Sequence, residues 1–243
     1  MSPRDALTVF LAIIPGASLI MLCPPNAAAA TDSKAARLMA ELRAASGGPS
    51  LGRHAAFHEA GTVVRDGKTG TYEVYADLHS LRYAATHVLD GTPGGSGFDG
   101  RLVWRLGPDG KVTTSTDPKA IAEMKAGAYF TAGAMNRPEE FPATFRYVGR
   151  RRYKAKAYDV VSVTPDFGGS GCFWLDLKTR HLRRVTVSDG KDAASVDIWD
   201  DRVVDGTVVG FKNDQVEGRH RMTQTLTTYE YVPLDPTRFA PPP

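Results

Sequence analysis

The chain is poor in the residues that usually announce chemistry. Its 243 residues include two cysteines and six histidines. Two cysteines, Cys23 and Cys172, cannot build the disulfide framework of a small secreted scaffold. Charge is nearly balanced, with 30 Lys+Arg against 27 Asp+Glu and a formal net charge of +3. No global field therefore calls for nucleic acid or for a strongly acidic partner. Strands do not alternate with helices, which argues against a doubly wound parallel sheet. The glycine-rich stretches are not followed by helices, so no phosphate-binding loop is formed.

The N-terminus carries the clearest signal. MSPRD holds Arg4, an almost uncharged stretch follows to Cys23, and Ala28-Ala29-Ala30 precedes Thr31. A basic start, an apolar middle and a small-residue exit describe a secretory signal peptide, residues 1–30, cleaved near Ala30. The alternative is an uncleaved anchor, since the apolar stretch is long enough to span a bilayer; Pro15, Gly16 and Pro24-Pro25 interrupt it. Cleavage implies a periplasmic protein, with residues 31–243 as one domain of roughly 210 residues. It would remove Cys23 and leave Cys172 alone, expected as a buried thiol that packs as a small hydrophobe.

Beyond the signal, two helices and many strands are predicted. Residues 31–48 place Leu38, Met39, Leu42 and Ala45 on one helical stripe, with Asp32 or Ser33 as cap and Gly47-Gly48 as stop. Residues 117–138 repeat the pattern with Ile121, Met124, Ala128 and Tyr129, Asp117 as cap and Pro118 in the first turn. Between them, period two takes over. Tyr72, Val74, Ala76 and Leu78 alternate against polar neighbours, and Leu102, Trp104 and Leu106 do the same. Asp66-Gly67, Asp99-Gly100, Asp109-Gly110, Asp189-Gly190 and Asp205-Gly206 mark turns. Residues 90–97, DGTPGGSG, read as a loop. Seven more strands fill the region from Ala143 to Val232, and the proline-rich tail either docks or frays.

This order resembles the outer-membrane lipoprotein carrier (LolA/LolB-like) superfamily. FDGRLVWRLGPDGKV resembles its "DGK-x-LW" segment. FWLDLKTRHLRRVTVSDG resembles its paired strands with a "W-x-D-x-x-T" turn. YVPLDPTRF resembles its closing stretch, with Val232 where asparagine is usual. The nearest likeness is to versions found ahead of retroviral-type aspartic proteases, but the triplet Asp-Thr/Ser-Gly is missing here. The resemblance implies a mainly β fold: a curved antiparallel sheet, an open half-barrel, with helices on its concave face. It also implies an apolar cavity for acyl chains or similar groups. The expected lining is Tyr72, Val74, Leu102 and Trp104 from the first strands, with Ile121, Met124 and Tyr129 from the second helix. Phe173 and Leu175 complete it. In most proteins such residues are simply core; only the resemblance makes a cavity of them.

Candidate catalytic groups do not assemble in the sequence. His54 and His58 are four apart, which is zinc spacing on a helix, with Glu59 adjacent. The stretch leads into a strand and lacks the glutamate of HExxH, so no metal and no cofactor are expected. His79, His87, His181 and His220 read as surface or strand-end histidines. Ser96 and Ser170 lie in glycine-rich turns without the strand-to-helix elbow of a nucleophile. Basic runs at 150–156, 178–184 and 218–221 read as solvated loops; the alternative is one positive rim suited to an anionic head group. The expected protein is thus a monomeric, non-catalytic binder of a hydrophobic or amphiphilic molecule, peripheral to a membrane at most. The alternatives are an envelope sensor or scaffold that contacts a protein partner, or a protease-associated domain that has lost its catalytic part.

Overall fold

A computed structural model describes residues 32–187 and 194–243. The signal-like segment and the Asp189-Gly190 turn lie outside the described residues. The chain order is helix α1 (Ser33–Ala45), then strands β1 (Ala56–Arg65), β2 (Lys68–Asp77), β3 (Tyr83–Leu89), β4 (Thr92–Phe98), β5 (Val103–Leu106) and β6 (Val112–Ser115). Helix α2 (Pro118–Thr131) follows. The rest is β7 (Ala143–Tyr153), β8 (Lys156–Pro165), β9 (Gly171–Asp176), β10 (Leu182–Val187), β11 (Ala194–Val204), β12 (Thr207–Glu217) and β13 (His220–Val232). The fold is mainly β and antiparallel, as the alternation predicts. Among the described residues no helix is long and apolar enough to cross a membrane.

The described residues form two compact units. The first holds His54–Ala134 and Met222–Pro243, with strands in the order β6-β5-β4-β3-β2-β1-β13. The second holds the described part of Ile14–Arg53 and Met135–Arg221, with strands in the order β12-β11-β10-β9-β8-β7.

Local chemistry explains most element ends. The Asp32 carboxylate accepts from the Ala35 N–H at 2.7 Å and from the Tyr147 N–H at 2.6 Å. One side chain thus caps α1 and ties it to β7. Asp117 caps α2 through the Lys119 N–H at 3.1 Å. Asp66-Gly67 and Asp205-Gly206 have positive φ at both residues, which a tight hairpin of matching twist requires. Asp99 accepts from the Arg101 and Leu102 N–H groups, and Asp109 from the Lys111 N–H. The acidic residues around β5 are therefore turn formers.

The stretch expected as a loop is a correction. Residues 92–98 are strand β4, paired with β3 on one side and β5 on the other. Its glycines provide clearance. A Cβ at Gly94 would fall 2.4 Å from the His87 ring, and one at Gly97 would fall 2.5 Å from the Trp104 indole. Each glycine lets a ring from the neighbouring strand lie across β4.

Cys172 is buried, at 1% exposure, as expected. It is not an isolated thiol, however; it is disulfide-bonded. Cys23, the only other cysteine in the sequence, lies outside the described residues. The C-terminal segment docks: a short turn at Pro236–Phe239 buries Phe239, and Asp235 caps it through the Thr237 N–H at 3.0 Å.

Candidate functional site

Strand register sorts the first unit into two faces. One carries Tyr72, Val74 and Ala76 of β2. Opposite them on β1 stand Gly61, Glu59 and Phe57, and on β3 His87, Ala85 and Tyr83. Ser96 and Phe98 of β4, Val103 of β5 and Leu226 of β13 continue the same face. Nearly all of these residues are buried, and most are apolar. Helix α2 lies along β4 and β5, with Lys125 Nζ 5.6 Å from the centre of the Phe98 ring. Met124 and Tyr129 of α2 are buried and Ile121 is half-buried.

The reverse face has a different character. A cross-strand row runs Glu230, His58, Tyr75, Ala84, Gly97, Trp104. His58 is held between Glu230 and Glu73, each 2.9 Å from a ring nitrogen, and stacks on Tyr75. His54 stacks on Tyr231 at 3.5 Å. The two histidines are thus placed by strand packing. Trp104 is 1% exposed, packs with Ala84 and Phe239, and donates from Nε1 to the Phe239 carbonyl at 2.9 Å.

The expected lining set therefore divides. Tyr72 and Val74 share the first face. Leu102 and Trp104 belong to the reverse-face cluster, sealed by the C-terminal segment. The alternation in RLVWRL gives two faces but not their direction; the partner is Val103, not Trp104, on the Tyr72 side. Phe173 and Leu175 belong to the second unit, fully buried, on the side of β9 that faces the register partners Val161 and Asp159.

Several polar groups break the apolar surface of the first face, among them Tyr83 and Ser96, whose hydroxyls bond to each other at 3.0 Å, Arg105 opposite Ser96, and Glu59, Tyr72 and His87. Glu59 stands opposite Val74, one diagonal step from Tyr72, and Tyr72 stands directly opposite His87. Burial pushes the Glu59 carboxyl up to about 7, yet the residue keeps accessible surface. The Tyr72 hydroxyl is buried and has no hydrogen-bond partner. Burial, and then the Glu59 charge, raise its pKa far above the ordinary phenol value. His87 is 9% exposed, so the expectation of a surface or strand-end histidine is corrected. Burial, and then the Arg65 charge, lower its ring to about 4, so it is neutral at pH 7, and its Nδ1 has no partner. Sequence reasoning noticed Glu59 only as a neighbour of His58. Period two in FHEAGTV already places it with Phe57 and Val63, an acid on an apolar face.

In the second unit the basic runs are mostly committed. Asp159 accepts from Tyr147 and Arg180, both at 2.9 Å, with Arg150 at 3.7 Å. Asp197 accepts from Lys154 at 2.8 Å, Tyr153 at 3.0 Å and Arg184. Asp201 accepts from Arg183 and His181. The runs at 150–156 and 178–184 do meet, but as ion pairs around buried aspartates. A surface cleft of about 310 Å³ lies beside Tyr158, Trp199 and Arg183. Its carboxylates are engaged too: Asp176 with the Lys178 and Thr179 N–H groups, Asp200 with Arg202, Asp201 with Arg183. Among the described residues no group of three or more His, Cys, Asp or Glu side chains is arranged to hold a metal.

The fold is shared with solved structures. A putative outer membrane lipoprotein-sorting protein domain from Vibrio parahaemolyticus superposes with a TM-score of 0.55 at 11% identity, over 85% of this chain and 96% of that one. A LolA superfamily protein from Nitrosomonas europaea gives 0.55 at 10% identity, over 85% and 97%. A DUF1329 family protein from Desulfovibrio piger gives 0.52 at 14% identity, over 85% and 97%. The chain has a LolA-like fold. No protein-family model matches it, and no curated protein matches it in sequence.

Proposed function

We infer that the chain is a periplasmic, non-catalytic binding protein for a hydrophobic or amphiphilic molecule such as a lipid or an acyl chain. The observation that carries this reading is the first face of the first unit. Its walls are apolar, and Glu59, raised by burial, and the unmatched Tyr72 hydroxyl interrupt them. Apolar walls with a few converging polar groups are the usual form of a small-molecule site. The LolA-like fold supports the same reading by analogy only. Binding works by burial, at about 0.8 kcal/mol per methylene removed from water, and no bond is made or broken. We take the domain as residues 31–243, exported and cleaved near Ala30; that cleavage removes Cys23, the one other cysteine of the sequence, so a disulfide at Cys172 within the chain would require the precursor.

The test is expression of the full precursor in a Gram-negative host, native mass spectrometry of the exported protein, and organic extraction. A mature mass beginning at Thr31 with co-purifying lipid is the expected result, and the same mass reports whether Cys23 is retained. A ligand-free protein that takes up no fluorescent fatty acid, but holds a stoichiometric envelope partner, would replace the binder with a scaffold.

A further inference from the structure

Resting on that reading, we propose that Glu59, Tyr72 and His87 form a head-group subsite for an uncharged, hydrogen-bonding head, such as the ester and hydroxyl of a monoacylglycerol. Three strands supply one group each. Tyr72 and His87 are direct cross-strand partners, and Glu59 is diagonal to Tyr72 across β1 and β2. Such neighbours are about 5–8 Å apart at Cβ, so one small head group reaches all three.

The case for a ligand is the state of these groups without one. The Tyr72 hydroxyl is buried at 3% residue exposure and bonds to nothing, and His87 Nδ1 is likewise unmatched. Buried polar atoms are nearly always satisfied, so unmatched atoms on two direct cross-strand partners call for a partner. Around them the face is aliphatic and aromatic: Val74, Ala85, Leu89 and Leu226. An acyl chain suits those walls and a polar head suits the diagonal.

The case for an uncharged head is the charge inventory. The phenol is neutral, and the imidazole is neutral because burial and the Arg65 charge oppose its protonation. Burial holds the Glu59 proton on up to about pH 7. None of the three supplies a cation for a carboxylate or phosphate head; Arg65 of β1 and Arg105 of β5, cations on this face, stand outside the Glu59–Tyr72–His87 diagonal in register, Arg65 near enough to oppose protonation of His87. A protonated acid, a phenol and an imidazole offer donors and acceptors together, which an ester carbonyl with a free hydroxyl matches.

The experiment measures affinities of the purified, delipidated protein at pH 6.5 for three probes with the same chain: monooleoylglycerol, oleate and oleylamine. Wild type, Tyr72→Phe and Glu59→Gln are compared, with far-UV circular dichroism and urea midpoints as folding controls. Monooleoylglycerol should bind at least tenfold tighter than the other two. Tyr72→Phe should weaken it about tenfold, the factor that one lost hydrogen bond carries. Glu59→Gln, which keeps a donor and an acceptor, should leave it within threefold. Preference for oleylamine with loss in Glu59→Gln would overturn the proposal in favour of a cationic head. Preference for oleate would overturn it in favour of an anionic one. Equal affinity for all three, unchanged in Tyr72→Phe, would remove the subsite but keep the binder. Binding of none would remove both.

Discussion

The largest network of matched carboxylates and the clearest unmatched carboxyl lie in different units, although Asp77 of the first is matched too, by Arg82 and the His79 N–H. In the second, Asp159, Asp197 and Asp201 each have two or three donors. Burial pushes these carboxyls up, but hydrogen bonds from Arg180 and Tyr147, from Lys154 and Arg184, and from Arg183 and His181 outweigh it and hold all three below the ordinary value. In the first, Glu59 has burial as the cause of its shift and nothing that lowers it, and the hydroxyl of its diagonal neighbour Tyr72 is unmatched. A matched buried charge belongs to the architecture; an unmatched one costs stability and persists where it serves something else. The contrast separates a structural network from a candidate site without any appeal to fold.

The largest effect expected from the contrast is at Asp197. Asp197→Ala removes the acceptor shared by Lys154, Tyr153 and Arg184 and leaves the largely buried Arg184 guanidinium unpaired. It should cost about 3 kcal/mol in urea unfolding. The folded pKa of Asp197 lies below its ordinary 3.8. Its contribution is therefore complete above that value and is lost as pH falls through the lower, folded pKa. An Asp197→Ala variant as stable as wild type at pH 7 would break the distinction from the side of the second unit.

Glu59 should behave with the opposite sign. Its folded pKa of about 7 exceeds the ordinary 4.5. Stability is complete below 4.5 and falls as pH rises toward 7, because the unfolded chain releases the proton first. Glu59→Gln should flatten that fall and gain roughly 2 kcal/mol at pH 8, somewhat less than the full shift would give. Equilibrium unfolding of both proteins between pH 4 and 8 checks it. A loss of stability in Glu59→Gln would mean that the carboxylate has a partner after all.

What the sequence made legible was whatever is decided locally. Asp32 and Asp117 cap helices, and Asp66-Gly67 and Asp205-Gly206 turn hairpins, because each needs only its neighbours in the chain. The docked tail was foreseen only as one of two outcomes. What failed depends on the strand alongside. The glycines of β4 read as a loop because nothing nearby in sequence shows that His87 and Trp104 need the room. Trp104 was grouped with Tyr72 because alternation defines two faces but register assigns them. Glu59 and His87 were both legible by period two, on the same side as Phe57 and Tyr83. The His54–His58 spacing is a helical signal and carries no meaning where the chain runs as a strand.

Tyr72→Phe gives the smallest effect and the sharpest reading. Deleting a hydroxyl that bonds to a neighbour usually costs about 1 kcal/mol; deleting a buried one that bonds to nothing should be neutral or stabilise by up to about 1 kcal/mol. The ring stays, so the contacts of this 3%-exposed residue with its apolar neighbours are kept. The urea midpoint of the ligand-free protein should therefore hold or rise, while the affinity for monooleoylglycerol falls. Such a residue trades stability for binding, as sites commonly do. A midpoint that drops by the cost of a hydrogen bond would show that the hydroxyl is already satisfied within the fold. The reason to place a head group on the diagonal would then be gone.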